Sequence, residues 1–220
     1  MNKVFLIFTL ACTLLIGCNT TNEPVIVSTT ELKVYSAFLQ QYEAIRKLNR
    51  NGRQIVTFVR DTTIDPPPAN SEHLFDTSDI RQSSGSEVQP IDVFTLFARQ
   101  NPKSNWIKIK MSFYNANKYQ ARIECNAQLF DSSVKLISAT DYHKMVKDIL
   151  SKHDSMSESD KLNKYYGYEL SRIGFDSLET VAVLYFNYSN PLGAQHGYAL
   201  LKKENNTWVL LKRAFKNSFM

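Results

Sequence analysis

The apolar run Thr180–Tyr188 restricts the fold more than any other stretch of the chain. Successive side chains of a β-strand point to opposite faces of its sheet, and here both sets are apolar. One set is Val181, Val183 and Tyr185, and the other is Ala182, Leu184 and Phe186. A strand that is apolar on both sides must be covered on both sides, so the run predicts a central strand between two packed layers.

The residues around this run predict a mainly antiparallel sheet. Tyr168–Phe175 has the composition of a strand and precedes the central one. Downstream, His196–Lys203 and Thr207–Arg213 are separated only by Glu204–Asn206, which is typical of a β-hairpin. Further strands are predicted at Gln54–Arg60, Trp106–Phe113, Tyr119–Asn126 and Val134–Ser138.

In Trp106–Phe113, apolar residues alternate with polar ones. Ile107, Ile109, Met111 and Phe113 alternate with Lys108, Lys110 and Ser112. This pattern of period two predicts a strand with one face in water.

Helical periodicity appears in three places. Thr30–Arg50 repeats apolar residues at helical spacing, and Ser28 and Glu31 have the spacing of a capping box. Ile91–Gln100 predicts a short helix after Pro90, and a third helix follows Ser138. The sequence therefore predicts an α+β fold, a mainly antiparallel sheet with about three packed helices.

Ile64–Pro90 is the stretch least suited to a core. It contains three consecutive prolines and the run Ser-Ser-Gly-Ser, with few apolar residues. We interpret it as a long polar loop within a single domain that spans residues 31–220.

The N-terminus has the features of an export signal. After Lys3, the segment Val4–Gly17 has 14 residues without a charge, too short to cross a hydrocarbon core of about 30 Å. Residues 1–17 are therefore interpreted as a signal peptide. Leu15-Ile16-Gly17-Cys18 resembles the lipobox of bacterial lipoproteins, which implies that Cys18 takes a diacylglycerol on its sulfur and becomes the acylated first residue after cleavage.

Lipidation would anchor the chain to a membrane, with residues 18–30 as a short tether. Lipidation would add several acyl chains, more than the two membrane-binding signals that stable anchoring requires. Asn19 follows the cysteine. In well-studied double-membrane bacteria, Asp at that position tends to retain lipoproteins in the inner membrane, so the resemblance favours the outer membrane of the cell envelope.

Cysteine content and charge limit the other possibilities. Cleavage and lipidation leave only Cys125 as a free thiol, so no disulfide is expected within the mature chain. The formal charge is +5, with basic residues near the C-terminus: Lys202, Lys203, Lys212, Arg213 and Lys216. They are either the solvated face of a hairpin or a patch for anionic headgroups or glycans. A nucleic-acid partner is not expected for an exported lipoprotein.

The C-terminal half resembles a family of uncharacterised secreted bacterial lipoproteins. The matching residues are Leu170–Phe175 (LSRIGF), Ala182–Tyr185 (AVLY), Gly197–Leu201 (GYALL) and Trp208. The family pattern is SRxGF…ALVY…GYxLLxK…W, and the resemblance implies a shared fold but no activity. In physical terms, Gly174 would permit a bulge or close packing beside a strand end, Arg172 would pair with a carboxylate across the sheet, and Trp208 would face Tyr198 or Leu200.

The chain contains no HExxH, GxSxG, GxxxxGK[ST], GxGxxG or paired CxxC motif. Its four histidines are too scattered to predict a metal site, and no cofactor is expected. The best candidate site for acid–base chemistry has Asp61 near His196, with Ser171 and Arg172 from the C-terminal sheet. Two functions remain open: a non-catalytic binding or structural module for an envelope protein or glycan, and a small exported hydrolase that uses Asp61 and His196.

Overall fold

The computed structural model describes residues 24–48, 56–67, 93–124, 130, 133–151, 166–190 and 193–216. Four helices lie in these ranges: α1 (Thr29–Leu48), α2 (Val93–Gln100), α3 (Trp106–Ala116) and α4 (Ala139–Ser151). The strands are β1 (Thr57–Arg60), β2 (Val134–Ile137), β3 (Tyr166–Leu170), β4 (Gly174–Phe175), β5 (Val181–Asn190), β6 (Gly193–Glu204) and β7 (Thr207–Lys216). The predicted signal peptide, Cys18, Cys125 and residues 68–90 of the predicted loop lie outside the described residues.

The strands of the described ranges form one seven-stranded mixed sheet in the order β2-β1-β3-β5-β6-β7, with β4 also paired to β5. β1 runs parallel to β2 and β3, and every other pair is antiparallel. The predicted α+β class with a mainly antiparallel sheet is therefore confirmed.

Helices cover β5 on both faces, as its sequence requires. On the face covered by α1, which we call the α1 face, Ala182, Leu184 and Phe186 pack with Phe38 in one core cluster. On the other side, which we call the opposite face, Val181, Val183 and Tyr185 pack with side chains of α2 and α3. The predicted central strand is confirmed.

The start of α1 is fixed by the predicted capping box. The Ser28 amide donates to Glu31 Oε2 at 2.9 Å, and the Glu31 amide donates to Ser28 Oγ at 3.2 Å. Arg172 does not pair with a carboxylate across the sheet as predicted but with Glu31 on α1, through Nε–Oε1 at 3.1 Å and Nη2–Oε2 at 3.0 Å. A two-point contact of this kind is strong and directional, so it ties the first turn of α1 to the segment after β3.

Tyr168–Phe175 is not one strand, because the chain leaves the ladder after Leu170 and rejoins it at Gly174. At this break, Ser171 provides hydrogen-bond partners for the backbone of Tyr185. Its amide donates to the Tyr185 carbonyl at 2.9 Å, and its hydroxyl accepts from the Tyr185 amide at 2.9 Å. β5 therefore loses no backbone hydrogen bond at Tyr185, while Arg172 is free to turn toward Glu31.

The strand predicted at Trp106–Phe113 is wrong, because these residues form α3. The Asn105 side chain caps the helix by accepting from the Lys108 amide at 3.1 Å. Only Ile109 and Phe113, four residues apart, are buried, whereas Ile107 and Met111 are exposed. An alternating pattern also contains an i, i+4 pair, so the period-two interpretation and the helix compete for the same residues.

Gly174 confirms the expectation of close packing. A Cβ atom at this position would collide with the Phe113 backbone and Cβ, so α3 can lie on β4 only because residue 174 is glycine.

Trp208 does not face Tyr198 or Leu200 as predicted. The hairpin turns through Asn205 and Asn206, both with positive φ of 47° and 65°, so the connection has two residues. This turn sets Lys203 opposite Trp208 and places the indole on the α1 face, where its ring centroid lies 6.0 Å from that of Phe175. Tyr198 and Leu200 belong to the cluster on the opposite face.

Two further expectations need correction. Ile64 does not belong to a polar loop, since it is 8% exposed and packs in the opposite-face cluster. Tyr119–Asn126 is not a strand over its described part, where Arg122 forms only isolated bridges with Ile26 and Thr62.

Candidate functional site

The structure does not bring Asp61 and His196 together. Asp61 follows β1, whereas His196 lies on β6, with β3 and β5 between them in the sheet. Three strand spacings separate the two strands by about 14 Å. The two side chains also point to opposite faces of the sheet. Strand alternation places Asp61 on the α1 face together with Val59, whereas His196 shares the face of Tyr185.

The other two members of the predicted site have structural contacts. Ser171 is fully buried and completes the ladder beside Tyr185. Arg172 pairs with Glu31, whose side chain is 3% exposed. The pair raises the pKa of Arg172, mainly through the hydrogen bonds to Glu31 and against the opposing effect of burial. Among the described residues, neither Ser171 nor Arg172 forms a hydrogen bond with Asp61 or His196.

A different set of polar side chains crosses the opposite face of the sheet, which we call the polar row. It consists of Arg60 on β1, Glu169 on β3, Asn187 on β5 and His196 on β6. Glu169 is directly opposite Asn187, and Asn187 is directly opposite His196. Opposed residues of antiparallel strands have Cβ atoms about 5 Å apart, so the row is continuous across four strands.

Glu169 is the centre of the polar row. Its Oε1 accepts from Arg60 Nη1 at 2.9 Å, and its Oε2 accepts from Asn187 Nδ2 at 3.1 Å. The Arg60 and Glu169 side chains are 15% and 14% exposed. A partly buried carboxylate with both oxygens engaged in this way is held in place as a hydrogen-bond acceptor.

Two tyrosines flank the polar row as neutral phenols. Burial and then the negative charge of Glu169 raise the pKa of Tyr185 to about 12. Burial also raises the pKa of Tyr142, whose hydroxyl is buried and has no hydrogen-bond partner among the described residues. Both hydroxyls therefore keep their protons at neutral pH.

Helices border the polar row at both ends of the strands. Toward the start of β5, α2 and α3 pack over Val181, Val183 and Tyr185. Toward its end, α4 packs over Gly167 so closely that a Cβ atom there would lie 2.8 Å from the Tyr142 ring. Between them, Asn187 and His196 are partly exposed and Ala194, on the same face of β6, is exposed.

Arg60 has one donor unsatisfied within this arrangement. Its Nε atom is buried and has no hydrogen-bond partner among the described residues. Buried side-chain donors are nearly always paired, so an unpaired one marks a position where an additional polar group would gain a hydrogen bond.

The basic residues of the hairpin do not form one patch. Lys203 lies over the Trp208 ring at 5.9 Å on the α1 face. Lys202, the next residue along β6, points to the opposite face, where its Nζ lies 3.6 Å from Glu204 Oε1. This division favours the interpretation as a solvated hairpin.

Within the described ranges, no group of three or more His, Cys, Asp and Glu side chains could hold a metal ion. In the same ranges, no helix has both the length and the apolar character to cross a membrane.

Sequence reasoning missed most of the polar row. The signal was present at Asn187 and Glu169, which are polar residues inside strands that are otherwise almost fully apolar. It could not be used, because nothing in the sequence showed that β3 pairs with both β1 and β5 and so brings Arg60 and Asn187 to one carboxylate.

Comparison with known proteins finds no matching family model, curated protein or solved structure.

Proposed function

We propose that this protein is a non-catalytic binding module of the bacterial cell envelope, anchored to a membrane, most consistently the outer membrane, by lipid on Cys18. Its binding surface is the polar row, and its partner is an envelope protein or a glycan. The observation that carries the binding role is the partly exposed strip of polar side chains that crosses β1, β3, β5 and β6 on the opposite face.

The free-energy cost of burying polar side chains supports a role for the polar row beyond folding. Burying polar groups in a sheet costs free energy that hydrogen bonds among them only partly recover. Apolar side chains at Glu169 and Asn187 would continue the pattern of β3 and β5 without that cost. Asn187 and His196 stay partly exposed between the helices, and the buried Arg60 Nε has no hydrogen-bond partner among the described residues.

The hydrolase alternative has less support. It requires Asp61 to orient His196, and these residues lie on strands about 14 Å apart. The acid nearest His196 along the row is Glu169, whose two oxygens are both engaged.

The anchor rests on the sequence Leu15–Cys18 and is tested separately. Cys18→Ala should prevent acylation and move the protein from the detergent phase to the aqueous phase in a phase-partition assay. Metabolic labelling with a clickable fatty acid gives the direct readout. Label on the Cys18→Ala protein equal to that on the wild type would contradict the assignment.

The binding role is tested on the intact, membrane-anchored protein. Partners are cross-linked in cells and purified with wild-type protein, His196→Ala and, as a matched control, His143→Ala, an exposed histidine on α4. We expect His196→Ala to reduce partner recovery at least tenfold and His143→Ala to leave it unchanged.

The same three proteins are assayed against generic esterase, phosphatase and glycosidase substrates. No turnover is expected from any of them. Turnover that disappears in His196→Ala, while the urea midpoint is unchanged, would replace the binding module with the hydrolase.

A further inference from the structure

Exposed apolar side chains gather at the end of the molecule where the described chain begins. Four of the seven large apolar side chains exposed in the described ranges are Val25 at 42%, Ile26 at 52%, Tyr119 at 70% and Leu178 at 80%, whereas Ile107 and Met111 are exposed on α3 and Leu211 on β7. We call these four residues the N-terminal end. Large apolar side chains exposed together on a soluble domain mark a surface that contacts a partner or a membrane.

Hydrogen bonds place Val25 and Ile26 beside Arg122, which follows Tyr119 by three residues. The Arg122 amide donates to the Val25 carbonyl at 2.7 Å, and the Val27 amide donates to the Arg122 carbonyl at 3.1 Å. Tyr119 lies three residues before Arg122, in the connection that follows α3. The strand-like pairing of Ile26 with Arg122 fixes the entry of the chain against this connection.

Leu178 reaches the same end from the β4–β5 turn. Its neighbour Glu179 accepts a hydrogen bond from Thr30 Oγ1 at 3.4 Å, so the turn lies against the first turn of α1. Asn117, at the end of α3, donates to the Arg172 carbonyl at 3.0 Å and accepts from the Arg172 amide at 2.8 Å. These contacts join the chain entry, the end of α3 and the β4–β5 turn in one region.

The short connection to Cys18 indicates that a membrane covers this surface. Only the five residues Asn19–Glu23 separate Cys18 from Pro24, so the two ends of this connection lie at most about 22 Å apart when it is fully extended. Lipid on Cys18 would therefore hold the N-terminal end close to the bilayer. Exposed Lys118 and Arg122 flank Tyr119 and suit anionic headgroups, while exposed Glu124 and Glu179 oppose them in part.

We propose that the N-terminal end docks on the membrane surface, with Val25, Ile26, Tyr119 and Leu178 inserted into the headgroup layer. This inference rests on the proposed anchor at Cys18. It adds an orientation, since docking at this end would fix which parts of the domain face away from the bilayer.

The test uses the lipidated protein in vesicles of phosphatidylethanolamine and phosphatidylglycerol. An environment-sensitive fluorophore is attached at Leu178→Cys or Tyr119→Cys, and at Leu211→Cys as the control. Leu211 is 40% exposed on β7, outside the N-terminal end. Unsubstituted protein carried through the same labelling corrects for Cys125, and urea midpoints confirm that each variant is folded.

Lipids with a nitroxide near the headgroup should quench the fluorophore at positions 178 and 119 at least threefold more than at 211. Equal quenching at all three positions would overturn the docking inference. The mass of the N-terminal peptide reports lipid on Cys18 independently. If Cys18 is lipidated and quenching is equal at positions 178, 119 and 211, the docking alone is refuted. If Cys18 is not lipidated, both the anchor and the docking argument built on it are refuted.

Discussion

The two faces of the sheet differ in how completely they are covered by apolar side chains. On the α1 face, one long helix packs against aromatic side chains of β3 and β5, and Phe38 contacts both Tyr168 and Phe186 with ring centroids 6.1 and 5.0 Å apart. On the opposite face, shorter helices leave a strip between them that the polar row fills. The α1 face is built for stability, and the opposite face divides its area between core and an accessible polar surface.

Polar contacts follow the same division. Glu31 and Arg172 fasten the start of α1, and the Gln41 side chain donates to the Trp208 carbonyl at 2.9 Å and accepts from the Leu210 amide at 2.7 Å. These bonds hold α1 in place and cover part of the β7 edge. In contrast, the contacts of Glu169 join strands that the backbone ladder already joins. Losing them should change stability little and binding greatly.

The largest effect is expected from Phe186→Ala. Phe186 is fully buried on the α1 face and contacts Phe38 and Phe215. Removing a buried phenylalanine ring should lower the free energy of unfolding by about 4 kcal/mol. Urea denaturation measures the change. The matched control is Asn187→Ala, the next residue on the opposite face, which should cost about 1 kcal/mol. Equal losses would mean that the faces do not differ as described.

Arg172→Ala should be next in size, at about 3 kcal/mol, because it leaves the buried Glu31 carboxylate without its ion pair. Thermal and urea unfolding of the variant measure the loss. Arg122→Ala, at an exposed arginine, is the control and should lie within about 0.5 kcal/mol of the wild type. A loss from Arg172→Ala no larger than the control would contradict the structural role assigned to the pair.

These contacts show what the sequence could and could not predict. The capping box was predictable because its two residues are local, and β5 was predictable because nine consecutive residues carry its pattern. The partner of Arg172 and the members of the polar row depend on strand order, which sequence spacing does not encode. α3 was mistaken for a strand because Ile109 and Phe113 fit both periods, and the packing against Gly174 decided between them.

A smaller effect concerns the alkaline limit of stability. Burial, followed by the charge of Glu31, raises the pKa of Tyr35 well above its usual value, and its hydroxyl donates to the Ser171 carbonyl at 2.8 Å. In the unfolded chain this tyrosine ionises near pH 10. The unfolded state therefore loses a proton first, and the free energy of unfolding should fall as pH rises above about 10.

Tyr35→Phe should flatten that decline and lower stability at neutral pH by about 1 kcal/mol. Unfolding in urea from pH 7 to 11 measures both, with Tyr119→Phe, at an exposed tyrosine, as the control. A decline above pH 10 that is as steep in Tyr35→Phe as in the wild type would contradict the assignment.

The smallest effect on stability is expected from His196→Ala, within about 1 kcal/mol. His196 is partly exposed at the end of the polar row, beside Asn187. Its urea midpoint should stay near that of the wild type while partner recovery falls. A large loss of stability would show that the row supports the fold.

Site-specific photocross-linking tests the claim that the polar row is the binding surface most directly. A photoreactive amino acid is placed at Ala194, exposed on the opposite face two residues before His196, or at Gln195, also exposed but directed to the α1 face. In cells that carry the membrane-anchored protein, we expect a partner adduct from position 194, none from 195, and loss of the 194 adduct when His196→Ala is added. Adducts of equal yield from both positions, or an adduct at 194 that persists with His196→Ala, would contradict the account.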